Sequence, residues 1–106
     1  MLFVIHGIDK PDSPIRNRLI DQHRAHMDAG PIRVVASGPL MDDQGEQMVG
    51  SIIIVDCENR RTVDQVMVDE PFNVAGLYES LTINRWHQRV GKTWGASRKR
   101  VSVKLA

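Results

Sequence analysis

Leu77-Tyr78-Glu79-Ser80-Leu81-Thr82-Ile83-Asn84-Arg85-Trp86 decides the fold. Leu77, Glu79, Leu81 and Ile83 alternate with Tyr78, Ser80, Thr82 and Asn84, and a period of two predicts a strand. Upstream, a loop runs through Asn73 and Gly76, and Pro71 ends a short helix that Asn59 opens as N-cap. In that helix Val63, Val66 and Met67 share one face. Before it stands a very apolar strand, Ser51 to Asp56, preceded by a polar loop, Met41 to Gly50. A further strand, Ile32 to Ser37, is closed by Gly38-Pro39, so these two strands are expected to be antiparallel neighbours.

At the other end of the chain, Leu2 to Ile8 reads as a β-branched strand that finishes near Asp9. Asp12 or Ser13 can cap the helix that follows, and Pro14 suits its first position. Ile15, Leu19, His23 and His26 form one helical stripe, and Gly30-Pro31 stops the helix. The order is β-α-β-β-α-β. That order specifies an α+β, ferredoxin-like domain with a four-stranded antiparallel sheet and two helices on one face.

Length and composition agree with a single domain. The chain has 106 residues, 42% of them hydrophobic and 25% charged, which excludes disordered and collagen-like classes. The one cysteine, Cys57, cannot form an intrachain disulfide, and a reducing cytoplasm is the expected compartment. The apolar N-terminus lacks a basic leader and a long hydrophobic run, so neither signal peptide nor membrane span is expected.

The formal net charge of +1 conceals an asymmetry. Seven of the 14 basic residues fall from Asn84 onward, where no Asp or Glu occurs, and the chain before it holds seven basic against 13 acidic residues. Residues 89–106 read as a basic C-terminal tail. Arg98, Lys99, Arg100 and Lys104, near Trp86 and Trp94, raise the idea of a grip on phosphate or single-stranded nucleic acid. The acidic body argues against a polyanion, and no nucleic-acid partner is expected.

The chemistry falls to histidine, whose ordinary pKa lies closest to neutral. His23 and His26 stand three apart on the apolar helix face, about 5 to 6 Å from each other at Cβ. His6 and His87 are read as bystanders. Asp9 continues the Phe3, Ile5, Gly7 alternation, where a carboxylate can orient an imidazole or simply cap a loop. No His-Glu-x-x-His, Cys-x-x-Cys or glycine-rich phosphate loop is present, so neither a metal nor a nucleotide cofactor is expected. On the sheet face away from the helices, Tyr78, Ser80, Thr82, Asn84 and Trp86 are polar and aromatic, with Ser37 placed there from the second strand. Such a face suits a pocket or a second copy of the chain, and a homodimer is expected.

Several motifs resemble the YCII-related (YciI-like) family: Asp9-Lys10 with Asp12-Ser13, Arg18 followed by His23-Arg24-Ala25-His26, Gly38-Pro39-Leu40, Gly50-Ser51, and above all Glu70-Pro71-Phe72-Asn73-Val74-Ala75-Gly76-Leu77-Tyr78-Glu79. The resemblance covers about residues 1–88 and implies a domain that pairs sheet to sheet as a dimeric α/β barrel. It implies a site made of a first-helix histidine and the aspartate after the first strand. Carried over, these are His26, in Ala25-His26, and Asp9, with His23 as the competing match for the histidine. Ser37, His23, Tyr78 and Phe72 would be substrate-binding. Glu70 stands where the family usually has aspartate.

One branch of the family is a dehydrochlorinase acting on 5-chlorohydroxyhydroquinone. The resemblance therefore implies a cofactor-independent lyase in aromatic catabolism, with His26 and Asp9 as its acid–base pair, a small aromatic substrate and no metal. A muconolactone-isomerase-like enzyme and a non-catalytic dimeric binding module are the alternatives.

Overall fold

The computed structural model describes residues 1–92, so Trp94, Arg98, Lys99, Arg100 and Lys104 of the expected tail lie outside the described residues. The elements are β1 (Leu2–Asp9), α1 (Ile15–Ala29), β2 (Arg33–Met41), β3 (Met48–Asp56), α2 (Arg60–Val68), α3 (Pro71–Val74) and β4 (Tyr78–Trp86). The strands make one antiparallel sheet in the order β2-β3-β1-β4. This is the expected ferredoxin-like α+β arrangement. Phe3, Ile5, Ile53 and Val55 meet Met27 of α1 and Val63, Val66 and Met67 of α2 in one buried cluster, so the helices cover a single sheet face. Among the described residues no helix is long and apolar enough to cross a membrane.

Local chemistry accounts for the element ends. Asn59 Oδ1 accepts the backbone N–H of Thr62 at 2.9 Å, the N-cap expected for α2. α1 begins one residue later than expected, at Ile15, whose N–H donates to Ser13 Oγ at 3.2 Å, and it ends at Gly30. β2 runs through Gly38-Pro39 instead of stopping there. It is an edge strand, and a proline can turn its missing N–H side outward there without costing a ladder bond. The β2–β3 connection shrinks to Asp42–Gln47, closed by Asp42 Oδ1, which accepts from Glu46 and Gln47. The expected loop after α2 contains a further helical turn, α3.

Two register shifts matter most. Ile8 pairs with Ser80 but Asp9 pairs with Tyr78, so Glu79 is an extra residue in β4. Beyond it the alternation inverts. Tyr78 therefore shares the helix-covered face with Asp9 and Gly7, not the open face with Ser80 and Thr82. A second shift between Val34 and Ala36 puts Ser37 opposite Ile53, whose side chain is core. Cross-strand partners share a face, so Ser37 also leaves the open face expected for it. It is exposed there, at the sheet edge.

Small residues make room for this arrangement. A Cβ on Gly7 would lie 2.5 Å from Tyr78 Cε1, because the tyrosine ring rests directly on the β1 backbone. A Cβ on Gly50 would collide with the carbonyl oxygen of Gly7 in the adjacent strand. Backbone cannot swing aside as a side chain can. Gly50→Ala is therefore expected to cost about 1–3 kcal/mol in urea unfolding. Gly38→Ala, where nothing lies within 4 Å of the new Cβ, should stay within about 0.5 kcal/mol of wild type.

Candidate active site

Glu70 is the only acidic side chain described as fully buried, at 0% exposure. It sits at the N-cap of α3, where Pro71 occupies the first helical turn, a position that asks nothing of a proline N–H. Its Oε2 accepts the N–H of Phe72 at 2.8 Å and its Oε1 that of Asn73 at 3.2 Å. His23 Nδ1 lies 2.8 Å from the same Oε2. A carboxylate oxygen accepts and does not donate, so Nδ1–H is the donor of this bond and Nε2 is the ring nitrogen left for another partner. The imidazole also stacks on Phe72, with centroids 4.3 Å apart and planes within 11°. The ring is fixed in tautomer and plane, and its side chain is 13% exposed.

Phe72 in turn connects to α1 and the sheet. The Arg16 guanidinium carbon lies 4.9 Å from its centroid, a cation–π distance, and Tyr78 meets it edge-on at 6.4 Å. Arg16 donates from Nε and Nη2 to the two oxygens of Asp9, each at 2.7 Å. Both side chains are nearly buried, 7% and 8% exposed. Burial alone would lower the Arg16 pKa, but the hydrogen bonds and charge of Asp9, with Tyr78 and Glu70 adding to them, raise it instead. Tyr78 is pushed well above the usual tyrosine range, first by burial and then by the charges of Glu70 and Asp9. Arg16 and a hydrogen bond with Ser51 oppose the shift. Tyr78 is therefore a neutral phenol at any ordinary pH.

Four of the six residues singled out from the sequence come together here: Asp9, His23, Phe72 and Tyr78. The Asp9–His26 pair does not form. Asp9 spends both oxygens on Arg16, and His26 Nε2 donates to the Val66 carbonyl at 2.8 Å, tying α1 to α2. Three positions separate the two histidines, enough rotation about the helix for His23 to face α3 and His26 to face α2. Ser37 stands on the edge strand, two strands from β1.

Arg16 and Glu70 were missed, although both left a signal. Arg16 precedes His23 by seven residues, two helical turns, and acid-Pro-Phe is the pattern of a capped helix start. Among the described residues no group of three or more His, Cys, Asp or Glu side chains is placed to hold a metal. A cavity of about 490 Å³ at the far end of the sheet is lined by Gly30, Ile32, Arg33, Asp56, Cys57 and Glu58. It contains none of the clustered side chains.

The sequence model of the YCII-related domain matches residues 1–87. No curated protein sequence matches significantly. Among solved structures, the chain is similar to 5-chloro-2-hydroxyhydroquinone dehydrochlorinase (TftG) from Burkholderia phenoliruptrix AC1100, in complex with 2,5-dihydroxybenzoquinone. The two are 28% identical with a TM-score of 0.72, over 82% of this chain and 94% of that one.

Tyr78 is the single tyrosine of the chain, so tyrosinate absorbance reports it alone. Little of that absorbance should develop in the folded protein near the ordinary tyrosine pKa of about 10. Stability due to the neutral phenol is fully present below that pH. It falls as pH rises above it, because the unfolded chain ionises there and the folded chain does not. Tyr78→Phe should flatten this alkaline decline in urea titrations, and an ordinary titration near 10 in folded protein would contradict the burial described.

Proposed function

Because the chain belongs to the YCII-related domain family over residues 1–87, we propose that it is a small acid–base lyase that eliminates hydrogen chloride from a chlorinated hydroxyhydroquinone, with His23 as the proton-transferring group. The observation that carries this reading is the His23–Glu70 pair. A buried carboxylate holds Nδ1–H and leaves Nε2 as a free base beside an aromatic wall, in a fold shared with a dehydrochlorinase.

The chemistry balances with one such group. Nε2 takes the proton of the hydroxyl next to the chlorine-bearing carbon, and electrons from that oxygen make a ketone as the carbon receives the proton back. A second deprotonation, at the hydroxyl para to the first, sends electrons across the ring and expels chloride. A proton and a chloride leave, a hydroxybenzoquinone remains, and nothing is oxidised from outside. Glu70 balances the charge His23 acquires at each step, and the neutral Tyr78 phenol donates a hydrogen bond to a ring oxygen.

General acid–base help of this kind contributes about 10²- to 10⁴-fold. His23→Ala is expected to lose that factor in chloride release from 5-chloro-2-hydroxyhydroquinone. His26→Ala is expected to keep near wild-type turnover and to lose stability, since it ties two helices. Loss of turnover in the His26 variant with His23→Ala active would reverse the assignment, and no chloride release above the spontaneous rate by wild type would overturn the activity.

The open sheet face bears Val4, Ile8, Ile52 and Ile54, all half-buried, around His6 and Thr82. We read it as the surface on which two copies pair. Light scattering should give twice the chain mass of 12.0 kDa, and Ile52→Glu should give a folded monomer. A monomeric wild type would refute the pairing.

A further inference from the structure

We propose that His6 is the central contact of the interface between two copies of the chain, and that the copies pair only while its ring is neutral. This deepens the pairing described above and rests on it, while the elimination chemistry is not involved.

His6 stands in the middle of β1, one of the two inner strands, and alternation turns it to the sheet face that the helices leave open. Its cross-strand partners there are Ile52 and Thr82, and Val4 and Ile8 flank it along its own strand. Ile54 and Ala36, paired with each other, continue the apolar surface outward. The His6 side chain is half-buried in the single chain, and neither ring nitrogen meets a hydrogen-bond partner among the described residues. Water satisfies such a ring only while the face is open.

The other ionisable groups of this face stay at its margins. Asp56 is four residues from Ile52 along β3, roughly 13 Å away, and it binds Arg33 and the Met1 ammonium, each at 3.1 Å. Glu79, exposed, is the extra residue at the far end of the outer strand β4. From β2 the position in line with Ile52 and His6 is Gly38. No carboxylate of the described residues therefore faces His6 from any of the four strands. In a two-fold pair each copy presents this same patch to the other, so the second copy brings no carboxylate to the ring either.

Size and chemistry both suit a second copy as the occupant. Four strands of eight or nine residues present a face of roughly 27 by 19 Å, about 500 Å² in plan, and side-chain relief brings its accessible area toward the ~800 Å² that each partner of a standard interface buries. A neutral imidazole carries one N–H and one lone pair, so two such rings near the axis satisfy each other, or each bonds the threonine hydroxyl of the opposite copy. Two protonated rings offer only donors and like charges. Closing the face over them removes both from water with no counter-charge. Association is therefore complete above the ordinary histidine pKa of about 6.5 and is lost as pH falls below it.

Sedimentation equilibrium at pH 8 and pH 5 tests this, with circular dichroism checking the fold at each pH. For wild type the dimer dissociation constant should rise about 30-fold or more, the factor for one group of pKa about 6.5 that must stay neutral about 1.5 pH units below it. His6→Gln keeps a neutral hydrogen-bonding side chain and should dimerise alike at both pH values. His6→Arg carries its charge at either pH and should be a folded monomer at pH 8. A wild-type dissociation constant that does not change with pH, or a change that survives in folded His6→Gln, overturns the proton control and leaves the pairing standing. A His6→Arg dimer as tight as wild type at pH 8 overturns the central place of His6 without any change of pH. Wild type monomeric at both pH values overturns the pairing and its control together.

Discussion

A carboxylate with no exposure to solvent constrains everything around it. Glu70 must find its donors within the fold, and it finds three: two amides of α3 and the imidazole of His23. Breaking a buried arrangement by removing one partner costs about 3–5 kcal/mol, so each of these bonds holds the other two in place. The single turn of α3, too short to persist by itself, exists because its first amides are satisfied by a charge. Phe72, completely buried, is delivered by that turn to His23, Arg16 and Tyr78. One side chain thus fixes a helix, an aromatic wall and a tautomer.

The sheet divides the labour along its length. Phe3, Ile5, Ile53 and Val55 form a dry floor under α1 and α2, and burial of such side chains is the main source of stability. At the other end of the same strands the floor changes to Gly7, Ser51 and Asp9, over which polar groups gather. Stiffness at one end lets the other carry charged and hydrogen-bonding groups at fixed spacing. The arrangement is the usual compromise between packing and function, set out here along β1.

Much of this was legible in the sequence, for identifiable reasons. Alternation in Leu77–Trp86, the Asn59 cap and the Gly30-Pro31 stop are local signals, and each produced the element it announces. The rest depended on relations that span the chain. Partners in the pairs Asp9–Arg16 and His23–Glu70 come from different elements, and spacing cannot say which of two histidines three residues apart meets which carboxylate. The faces of Tyr78 and Ser37 depended on register, and an extra residue in one strand leaves no mark in its composition. Pro39 looked like an end only because its position at the sheet edge was invisible.

The extra residue in β4 has a consequence for how such a chain can change. Substitution at Glu79 alters one exposed side chain, and its deletion would set Tyr78 directly before Ser80, so that regular alternation keeps the Tyr78 ring opposite Asp9 on the helix-covered face. A one-codon change inside a regular strand turns every side chain beyond it to the other face, whereas at this bulge the residue can come or go with the polar end of the molecule unmoved. A lineage could gain or lose the bulge in one step while keeping every strand, every helix, the whole apolar floor and the place of the Tyr78 ring over it.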